Sequence, residues 1–372
     1  MRILIAPNAF KGSLSAAEVA ATISRAFHDV EPNFDCCTLP VADGGDGTAE
    51  VLAAGLNARK QLVEVENALG RKIKAPLYLS EDGTAFIELA DAAGLKLLST
   101  RELAPLQTHT YGVGELIRKA LDYSCTRIVL GIGGSATLDV GIGALRALGV
   151  RFKDASGGEV RGGGGALNRI ASLDVSEMDK RLNEVQIQIA CDVDNYLLGE
   201  RGAAHVFGPQ KGANPFQVEL LEKNHRKFTQ LVKQTLDVDM GEFLYGGAAG
   251  GISAGLKAFC GAELLPGADL VLDSLDFDRK LKDCDLVITG EGRIDEQSIH
   301  GKAPYVVAQR AKFAGKKVIG LAGSFESLDN SPFDALFSIP NGPVALEEVM
   351  ENAEKYLYYS AKELGKLIKA LS

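Results

Sequence analysis

The chain has 372 residues, more than one hydrophobic core usually supports, so two domains are expected. Its hydrophobic fraction of 46% is typical of a globular protein, and its net charge of −9 comes without any block of Lys and Arg, which argues against a nucleic-acid partner. The apolar runs are too short for a membrane span or a signal peptide, and the six cysteines lack a C-x-x-C pair, so a cytoplasmic protein with reduced thiols and no membrane partner is predicted.

Short apolar runs alternate with helical patterns along most of the chain, which is typical of a parallel α/β sheet. Residues 60–95 differ. Apolar and polar residues alternate there in short segments that glycine-containing turns separate, a pattern that predicts antiparallel hairpins. The remaining predicted elements are strands at 2–6, 35–39, 127–130, 150–153, 185–190, 285–289, 317–322 and 335–339, and helices at 16–27, 46–54, 113–121, 217–236, 249–259, 304–314 and from 344 onward.

This order of elements predicts a discontinuous domain. Residues 1–58 and 275–372 are expected to form a Rossmann-like, doubly wound parallel sheet, and residues 59–274 a mixed α/β domain inserted into it. The strand at 127–131 could belong to either domain. Ser15, followed by Glu18, is predicted to cap the first helix through a capping box.

The stretch LVITGEGRIDEQSIHGKA, residues 286–303, is the most informative for function. A buried strand stops there in the sequence GEGRID, and strand ends of α/β proteins open into the ligand crevice. Glu291, Arg293, Asp295 and Lys302 follow within a dozen residues. These groups could handle an anion, a metal ion and a proton together, although a solvated loop would also explain them.

Two earlier loops carry similar groups after predicted strands. Lys11 precedes the helix capped by Ser15, and a lysine beside a helix N-terminus suits phosphate. Asp43 and Asp46 stand among three glycines in ADGGDGT, and such carboxylates suit Mg²⁺, which usually takes one or two of them plus phosphate oxygens and water. A plain turn in which Asp46 caps the next helix is the alternative interpretation.

The loop GIGGSAT, residues 131–137, admits two interpretations. It matches the dinucleotide pattern G-x-G-x-x-A after a strand, with Asp154 at the end of another strand as a ribose ligand. It could equally cradle phosphate with Ser135 and Thr137 as additional donors. Farther along, Asp192 ends a strand, Lys211 lies near a Pro-Gly turn, and the glycine loop 246–255 opens a helix.

Taken together, these motifs resemble the bacterial glycerate kinase family. The resemblance runs through nearly the whole chain, in the segments IAPNAFKGSLSAAEVA, PVADGGDGT, THTYGVGELI, GIGGSATLDVGIGALRALG, ACDVDNYLLGERGAAHVFGPQKGA, GGAAGGISAGLKAF and LVITGEGRIDEQSIHGKAP. It implies two α/β domains, one of them Rossmann-like, with the active site in the cleft between them, and phosphorylation of D-glycerate by ATP. The chain departs from the family pattern at Asn8, where Asp is usual, and at Leu138 and Val140, which flank Asp139 where Asn and Gly are usual.

For such an enzyme the sequence predicts ATP and Mg²⁺ as cofactors and assigns roles to the strand-end residues. Phosphoryl transfer needs positioning, charge neutralisation and a proton acceptor rather than covalent chemistry. The predicted set is Asp192, as the leading general base, with Lys11 and Asp295 for catalysis; Arg293, Glu291 and Ser13 for substrate; Gly131, Gly133, Gly134, Ser135, Thr137 and Lys211 for nucleotide; and Asp43 and Asp46 for metal.

Two other functions also fit these motifs. An NAD-dependent dehydrogenase of a small hydroxy acid would use the G-x-G-x-x-A pattern and Asp154, and a non-catalytic sugar-acid binding protein would bind without turnover. For a kinase, 2-phosphoglycerate is the favoured product and 3-phosphoglycerate the other possibility. The sequence does not predict an oligomeric state.

Overall fold

A computed structural model describes residues 1–326, 331–340 and 342–371. Within these residues no helix is both long and apolar enough to span a membrane. The strands are β1 (Arg2–Ile5), β2 (Asp35–Thr38), β3 (Arg59–Glu66), β4 (Lys72–Leu79), β5 (Thr84–Glu88), β6 (Arg127–Gly131), β7 (Arg151–Lys153), β8 (Ser172–Asp174), β9 (Gln186–Cys191), β10 (Glu263–Pro266), β11 (Leu286–Ile294), β12 (Lys317–Phe325) and β13 (Ala335–Ser338). The helices are α1 (Ala16–Val30), α2 (Thr48–Gly55), α3 (Ala90–Ala93), α4 (Tyr111–Asp122), α5 (Ile142–Ala147), α6 (Ala203–Phe207), α7 (Pro215–Leu236), α8 (Ile252–Cys260), α9 (Gly267–Ser274), α10 (Phe277–Lys282), α11 (Ala303–Phe313), α12 (Leu346–Glu351) and α13 (Ala353–Leu371).

The chain divides into two compact units. Unit 1 contains Met1–Asp43 and the chain from Pro266 onward, and unit 2 contains Gly44–Leu265. Both ends of the chain therefore contribute to unit 1, with unit 2 as a continuous segment between them. The domain limits expected from the sequence, at 58/59 and 274/275, stay a prediction.

Unit 1 is built on a parallel sheet with the strand order β13-β12-β11-β1-β2. This is a doubly wound order, because the chain moves outward from β1 to β2 and later returns to the other side of β1. Odd-numbered β1 residues, Ile3 and Ile5, face a core that includes Ile23 and Phe27 of α1 and Leu357 of α13. The opposite side of the sheet contacts α11, so helices cover both faces.

The helices at the two ends of the chain, α1 and the pair α12 and α13, can be compared with the predictions from the sequence. Ser15 and Glu18 form the predicted capping box at the start of α1, which confirms that prediction. The prediction of one continuous helix from residue 344 is wrong, because Asn352 separates α12 from α13 with φ −112° and ψ 23°. Its backbone N–H and its Nδ2 both donate to Glu348 O, at 3.0 and 3.1 Å. Asparagine readily takes such a position, since its side chain can replace a backbone donor.

Unit 2 contains a mixed six-stranded sheet with the order β10-β9-β6-β5-β4-β3. Strands β3, β4 and β5 run antiparallel as a meander, which confirms the hairpins predicted at 60–95. Strands β5, β6 and β9 then pair in parallel. Their carboxyl ends consequently share one edge of the sheet, where Glu88, the loop from Gly131 and the chain after Cys191 emerge.

The dinucleotide-binding arrangement does not form in unit 2. After β6, residues 132–141 lie outside helices, and α5 begins only at Ile142. Strand β7 then leaves the main sheet and pairs antiparallel with β8. Asp154 accepts hydrogen bonds from the Ser156 and Gly158 amides of its own turn, at 2.9 and 3.0 Å. The sequence-based alternative of a ribose ligand at Asp154 is therefore wrong, because β7 is not the neighbour of β6 that a Rossmann unit requires.

Candidate active site

The topological switch point of unit 1 lies between β1 and β11, on either side of which the strand order reverses. Ligands of doubly wound sheets bind outside the carboxyl ends of the strands at this point. There the Asn8 N–H, which follows β1, donates to Gly290 O of β11 at 2.8 Å. The prediction that this strand stops before GEGRID is wrong, because its pairing with β12 continues to Ile294. Asn8, Lys11 and Glu291 thus start from the same edge of one sheet.

Asn8 orients Asp43 at this edge. The Asn8 Oδ1 accepts the Ala9 N–H at 2.8 Å, which turns the amide nitrogen toward Asp43, where Nδ2 donates to Oδ2 at 3.3 Å. Asp43 is half-buried. The departure at position 8 therefore concerns a direct neighbour of a predicted metal ligand.

Lys11 and Ser13 occupy the tight loop between β1 and α1. Lys11 is exposed and Gly12 has φ +82°, a left-handed conformation that suits glycine. The Ser13 hydroxyl donates to Phe10 O at 2.9 Å, so it closes the turn. Contact of Ser13 with a substrate and of Lys11 with a phosphate both stay predictions.

Glu291 is a buried carboxyl group at the switch point. Its residue exposure is 6%, and its Oε1 accepts the Ser298 hydroxyl at 3.1 Å. Burial raises the pKa of Glu291 to about 7; the negative charges of Asp43 and Asp295 act in the same direction, and Lys302 opposes them. A carboxyl group with such a pKa can exchange a proton near neutral pH.

Arg293 follows on the same strand and is exposed. Its Nε lies 3.0 Å from Asp295 Oδ2 and its Nη2 lies 2.6 Å from Glu326 Oε1. Both ends of the guanidinium fork therefore already face carboxylates. Binding of a substrate carboxylate by Arg293 stays a prediction, and it would require the exchange of one of these two acceptors.

In unit 2 the loop 44–48 lies on the loop 131–137. The Ile132 and Gly133 N–H groups both donate to Gly44 O at 3.3 Å. A methyl group at Gly133 would lie 2.4 Å from the backbone nitrogen of Asp46, so only glycine allows this approach, and Gly134 lies beside the Asp46 carboxylate. Asp46 itself is exposed. The structure thereby brings together two of the predicted motifs, one for metal and one for nucleotide.

Asp139 organises the chain that follows the glycine loop. It is fully buried and accepts the Thr110 N–H and hydroxyl at 2.9 Å each, the Gly143 N–H at 3.0 Å and the Gly141 N–H at 3.2 Å. Leu138 is also fully buried, as a member of the unit 2 core. Val140 has φ +53°, which is unusual for a β-branched residue and explains why glycine suits this position.

Lys211 is buried and donates hydrogen bonds to the loop 131–137. Only 2% of the residue is exposed, and its Nζ donates to Thr137 O at 2.7 Å and to Ser135 Oγ at 3.3 Å. The Ser135 hydroxyl in turn donates to Ala249 O at 3.1 Å. Burial lowers the pKa of Lys211 to about 7, and the negative charge of Asp139 acts against this shift. These side chains stabilise the loop from inside, and their contact with a nucleotide stays a prediction.

Asp192 lies immediately after β9 and is exposed, and its role as general base stays a prediction. The preceding Cys191 is buried, and burial raises the pKa of its thiol to about 12. Asp194 pairs with Arg201 at 3.3 Å. The strand end therefore presents Asp192 to solvent while Cys191 belongs to the core.

Glu88 was missed by the sequence analysis. It is the last residue of β5, with 3% exposure, and burial raises its pKa to about 8. The signal in the sequence is a charged residue that ends the apolar run Ala85-Phe86-Ile87, a pattern that strand prediction treats as a simple boundary. Its Oε2 accepts the Ala49 N–H of α2, and its carboxyl group lies beside Gly131 at the start of the loop 131–137.

The described part of the chain contains no preformed cluster of metal ligands. Among residues 1–326, 331–340 and 342–371, no three His, Cys, Asp or Glu side chains are gathered so as to hold an ion. The donor set that Mg²⁺ needs in phosphoryl transfer is smaller, because phosphate oxygens and water complete its shell. Asp43 in unit 1 and Asp46 in unit 2 each offer one carboxylate of the required chemistry.

The fold and these two sheet edges define an α/β enzyme with glycine loops, cations and carboxylates at its parallel strand ends, as expected of a phosphotransferase. The sequence matches the model of the glycerate kinase family over residues 3–369. It is 46% identical to a glycerate kinase of Bacillus subtilis (strain 168), over 99% of this chain and 98% of that protein. It is 44% identical to glycerate 2-kinase of Escherichia coli (strain K12), over 95% of this chain and 94% of that protein.

A solved structure agrees with this relationship. A crystal structure from Salmonella typhimurium LT2, provisionally named glycerate kinase 2, superposes with a TM-score of 0.90 and 46% identity, over 100% of this chain and 98% of that one. The chain belongs to the glycerate kinase family, and it is an enzyme that transfers phosphoryl groups.

Proposed function

We propose that this protein transfers the γ-phosphoryl group of ATP to the 2-hydroxyl of D-glycerate, giving 2-phosphoglycerate. The observation that carries the proposal is the family match over residues 3–369 together with 44% identity to a relative named glycerate 2-kinase. The exposed Lys11 and Arg293 at the unit 1 sheet edge supply the positive charge that an anionic substrate needs in a chain of net charge −9.

The unit 1 edge suits the acid substrate. Arg293 binds the glycerate carboxylate with its planar fork, exchanging one of the carboxylates it now faces. Asp295, at 3.0 Å, holds the guanidinium in orientation during this exchange. Lys11 neutralises the transferring phosphate, and Asp43, oriented by Asn8, offers a carboxylate to Mg²⁺. Mg²⁺ supplies neutralisation of the phosphate charge when it is bound.

The unit 2 edge suits the nucleotide. Backbone N–H groups of the loop 131–137 bind phosphate oxygens, and Asp46 beside Gly134 offers a carboxylate to the Mg²⁺ that accompanies the nucleotide. Asp192 accepts the proton of the attacking hydroxyl as general base, and its exposed position after β9 leaves the carboxylate accessible to a substrate.

One coupled assay tests the reaction and its product. Purified protein is given Mg-ATP and D-glycerate with enolase present and phosphoglycerate mutase absent. Immediate formation of phosphoenolpyruvate, detected by its ultraviolet absorbance, is expected. Release of ADP without phosphoenolpyruvate would identify 3-phosphoglycerate as the product, and absence of glycerate-dependent ADP release would refute the kinase.

Two substitutions test the roles of single residues. Asp192→Asn should lower kcat by at least a hundredfold with little change in either KM, whereas Asp194→Asn on the same loop should leave kcat near the wild-type value. Arg293→Lys should raise the KM for D-glycerate about tenfold, because Lys cannot bind a carboxylate bidentately. Arg279→Lys, at an exposed ion pair of unit 1, is the matched control. Near-normal turnover of the Asp192 variant would contradict its role as general base. An unchanged KM for D-glycerate in the Arg293 variant would contradict its binding of the substrate carboxylate.

A further inference from the structure

Glu88 combines deep burial with an incomplete set of hydrogen bonds. It is the register partner of Gly131 across the parallel pair of β5 and β6, so its carboxyl group lies at the carboxyl-terminal edge of the unit 2 sheet. Its Oε1 is buried and has no hydrogen-bond partner among the described residues. A buried oxygen atom without a hydrogen-bond partner destabilises the folded protein. A carboxyl group at this position therefore calls for an explanation by a role other than stability.

The other carboxyl oxygen holds a helix start. Glu88 Oε2 accepts the Ala49 N–H at 3.0 Å, in the first turn of α2. The N-cap of α2 is Gly47, which has φ +88° and no side chain to cap the helix. Since the first N–H groups of a helix need acceptors, Glu88 supplies from β5 what the N-cap cannot.

Gly131 leaves the space that Glu88 fills. A methyl group at Gly131 would lie 3.0 Å from Glu88 Oε2 and 3.1 Å from Thr48 Cβ. The carboxyl group is therefore wedged between the start of the loop 131–137 and the first turn of α2. The loop 44–48, which bears Asp46, leads directly into that turn and rests on Gly133 and Gly134.

We propose that Glu88 is a positioning residue for nucleotide binding, which holds the first turn of α2 and the loop 44–48 against the loop 131–137. This inference rests on the proposed function for the identity of the ligand, MgATP. Glu88 does not touch the nucleotide, because its carboxyl group is enclosed by β6 and α2. Its effect reaches the phosphates through the placement of Asp46 and of the glycine amides.

The chain offers a matched control in Glu222 of α7. Glu222 is also buried, with 7% exposure; its Oε1 accepts the Gly199 N–H at 3.0 Å, and its Oε2, which lies 3.9 Å from His205 Nδ1, has no hydrogen-bond partner among the described residues. It differs from Glu88 in also accepting from Arg226, at 2.7 Å, and in contacting neither loop through these bonds. Substitution of Glu222 therefore measures what loss of a buried carboxyl group does to stability alone.

The experiment compares Glu88→Ala, Glu88→Asp and Glu88→Gln with Glu222→Ala and Glu222→Gln in the full chain. Binding of a non-hydrolysable MgATP analogue is measured by calorimetry, kinetics by the coupled assay, and amide hydrogen exchange by mass spectrometry. Glu88→Ala and Glu88→Asp should raise the nucleotide Kd and KM about tenfold and speed exchange in residues 44–50 and 131–137, because neither side chain reaches Ala49. Glu88→Gln keeps an acceptor oxygen at the same reach and should stay within about threefold of the wild type.

The Glu222 variants should lower the melting temperature without changing the nucleotide Kd or exchange in the two loops. The proposal falls if Glu88→Asp binds the analogue as the wild type does, if Glu88→Gln is as impaired as Glu88→Asp, or if Glu222→Ala changes the Kd equally. The Gln and Asp variants decide the matter if Glu88→Ala does not fold. Loss of wild-type glycerate turnover would refute the proposed function, whereas the exchange data would still test whether Glu88 holds the two loops.

Discussion

Replacement of Lys211 by Met should stabilise the folded protein at pH 6.5. Burial lowers the pKa of Lys211 from 10.5 to about 7, so the folded state disfavours the ammonium. At about 1.4 kcal/mol per pH unit, this corresponds to a destabilisation on the order of 5 kcal/mol at pH values below both pKa values. Met fills a similar volume without a charge, but it cannot donate to Thr137 O or Ser135 Oγ, which offsets about 2–3 kcal/mol.

The sign of the pH dependence follows from the lowered pKa. Between pH 7 and 10.5 the unfolded chain still holds the Lys211 proton that the folded chain has released, so wild-type stability should rise with pH. The Met variant lacks this contribution. Its advantage of about 2 kcal/mol at pH 6.5 should therefore shrink and reverse as the pH approaches 9.

Urea unfolding followed by circular dichroism at pH 6.5 and pH 9 measures both effects. Lys223→Met, at an exposed position of α7, is the control and should change the free energy of unfolding by no more than about 0.5 kcal/mol at either pH. The reasoning would be refuted if Lys211→Met were destabilising by the same amount at both pH values, since the ammonium would then carry no burial cost.

Three further predictions concern the stability of the two units. Val140→Gly should be more stable than Val140→Ala by about 1 kcal/mol in thermal or urea unfolding, although it is the smaller residue, because position 140 has φ +53°; the usual order, Ala above Gly, would contradict the strain. Asp139→Asn should lower the free energy of unfolding by roughly 3 kcal/mol, because the new amide N–H groups would face the buried N–H donors that now bind the Asp139 carboxylate. An unfolding midpoint equal to that of the wild type would contradict a stabilising role of these hydrogen bonds. Leu357→Ala, at a fully buried site, should cost about 2–5 kcal/mol in the same measurement, whereas Leu371→Ala, with 80% exposure, should change little; equal effects would show that α13 does not pack as described.

The local signals of the sequence predicted the parts of this protein that depend on neighbours along the chain. The capping box of Ser15 and Glu18, the meander at 60–95 and the strand end before GIGGSAT were readable, because a cap, a turn and an alternation of side chains are short-range features. The end of β11 was not, because its pairing with β12 extends the strand through GEGRI to Ile294. Helix α13 was predicted from its periodic apolar residues, but its separation from α12 at Asn352 was not, since one backbone conformation leaves no periodic trace.

The roles of several polar residues were decided only in three dimensions. No local pattern in the sequence distinguishes Lys211, Asp139 and Glu88 from other charged residues. In the structure all three are buried against segments that are distant along the chain. Asp154 is the opposite case. Its position at a strand end suggested a ligand-binding role, but the pairing of β7 with β8 excludes that role. Burial, the resulting pKa shifts and strand partners depend on which distant segments pack together, and these contacts are a property of the folded chain rather than of any window within it.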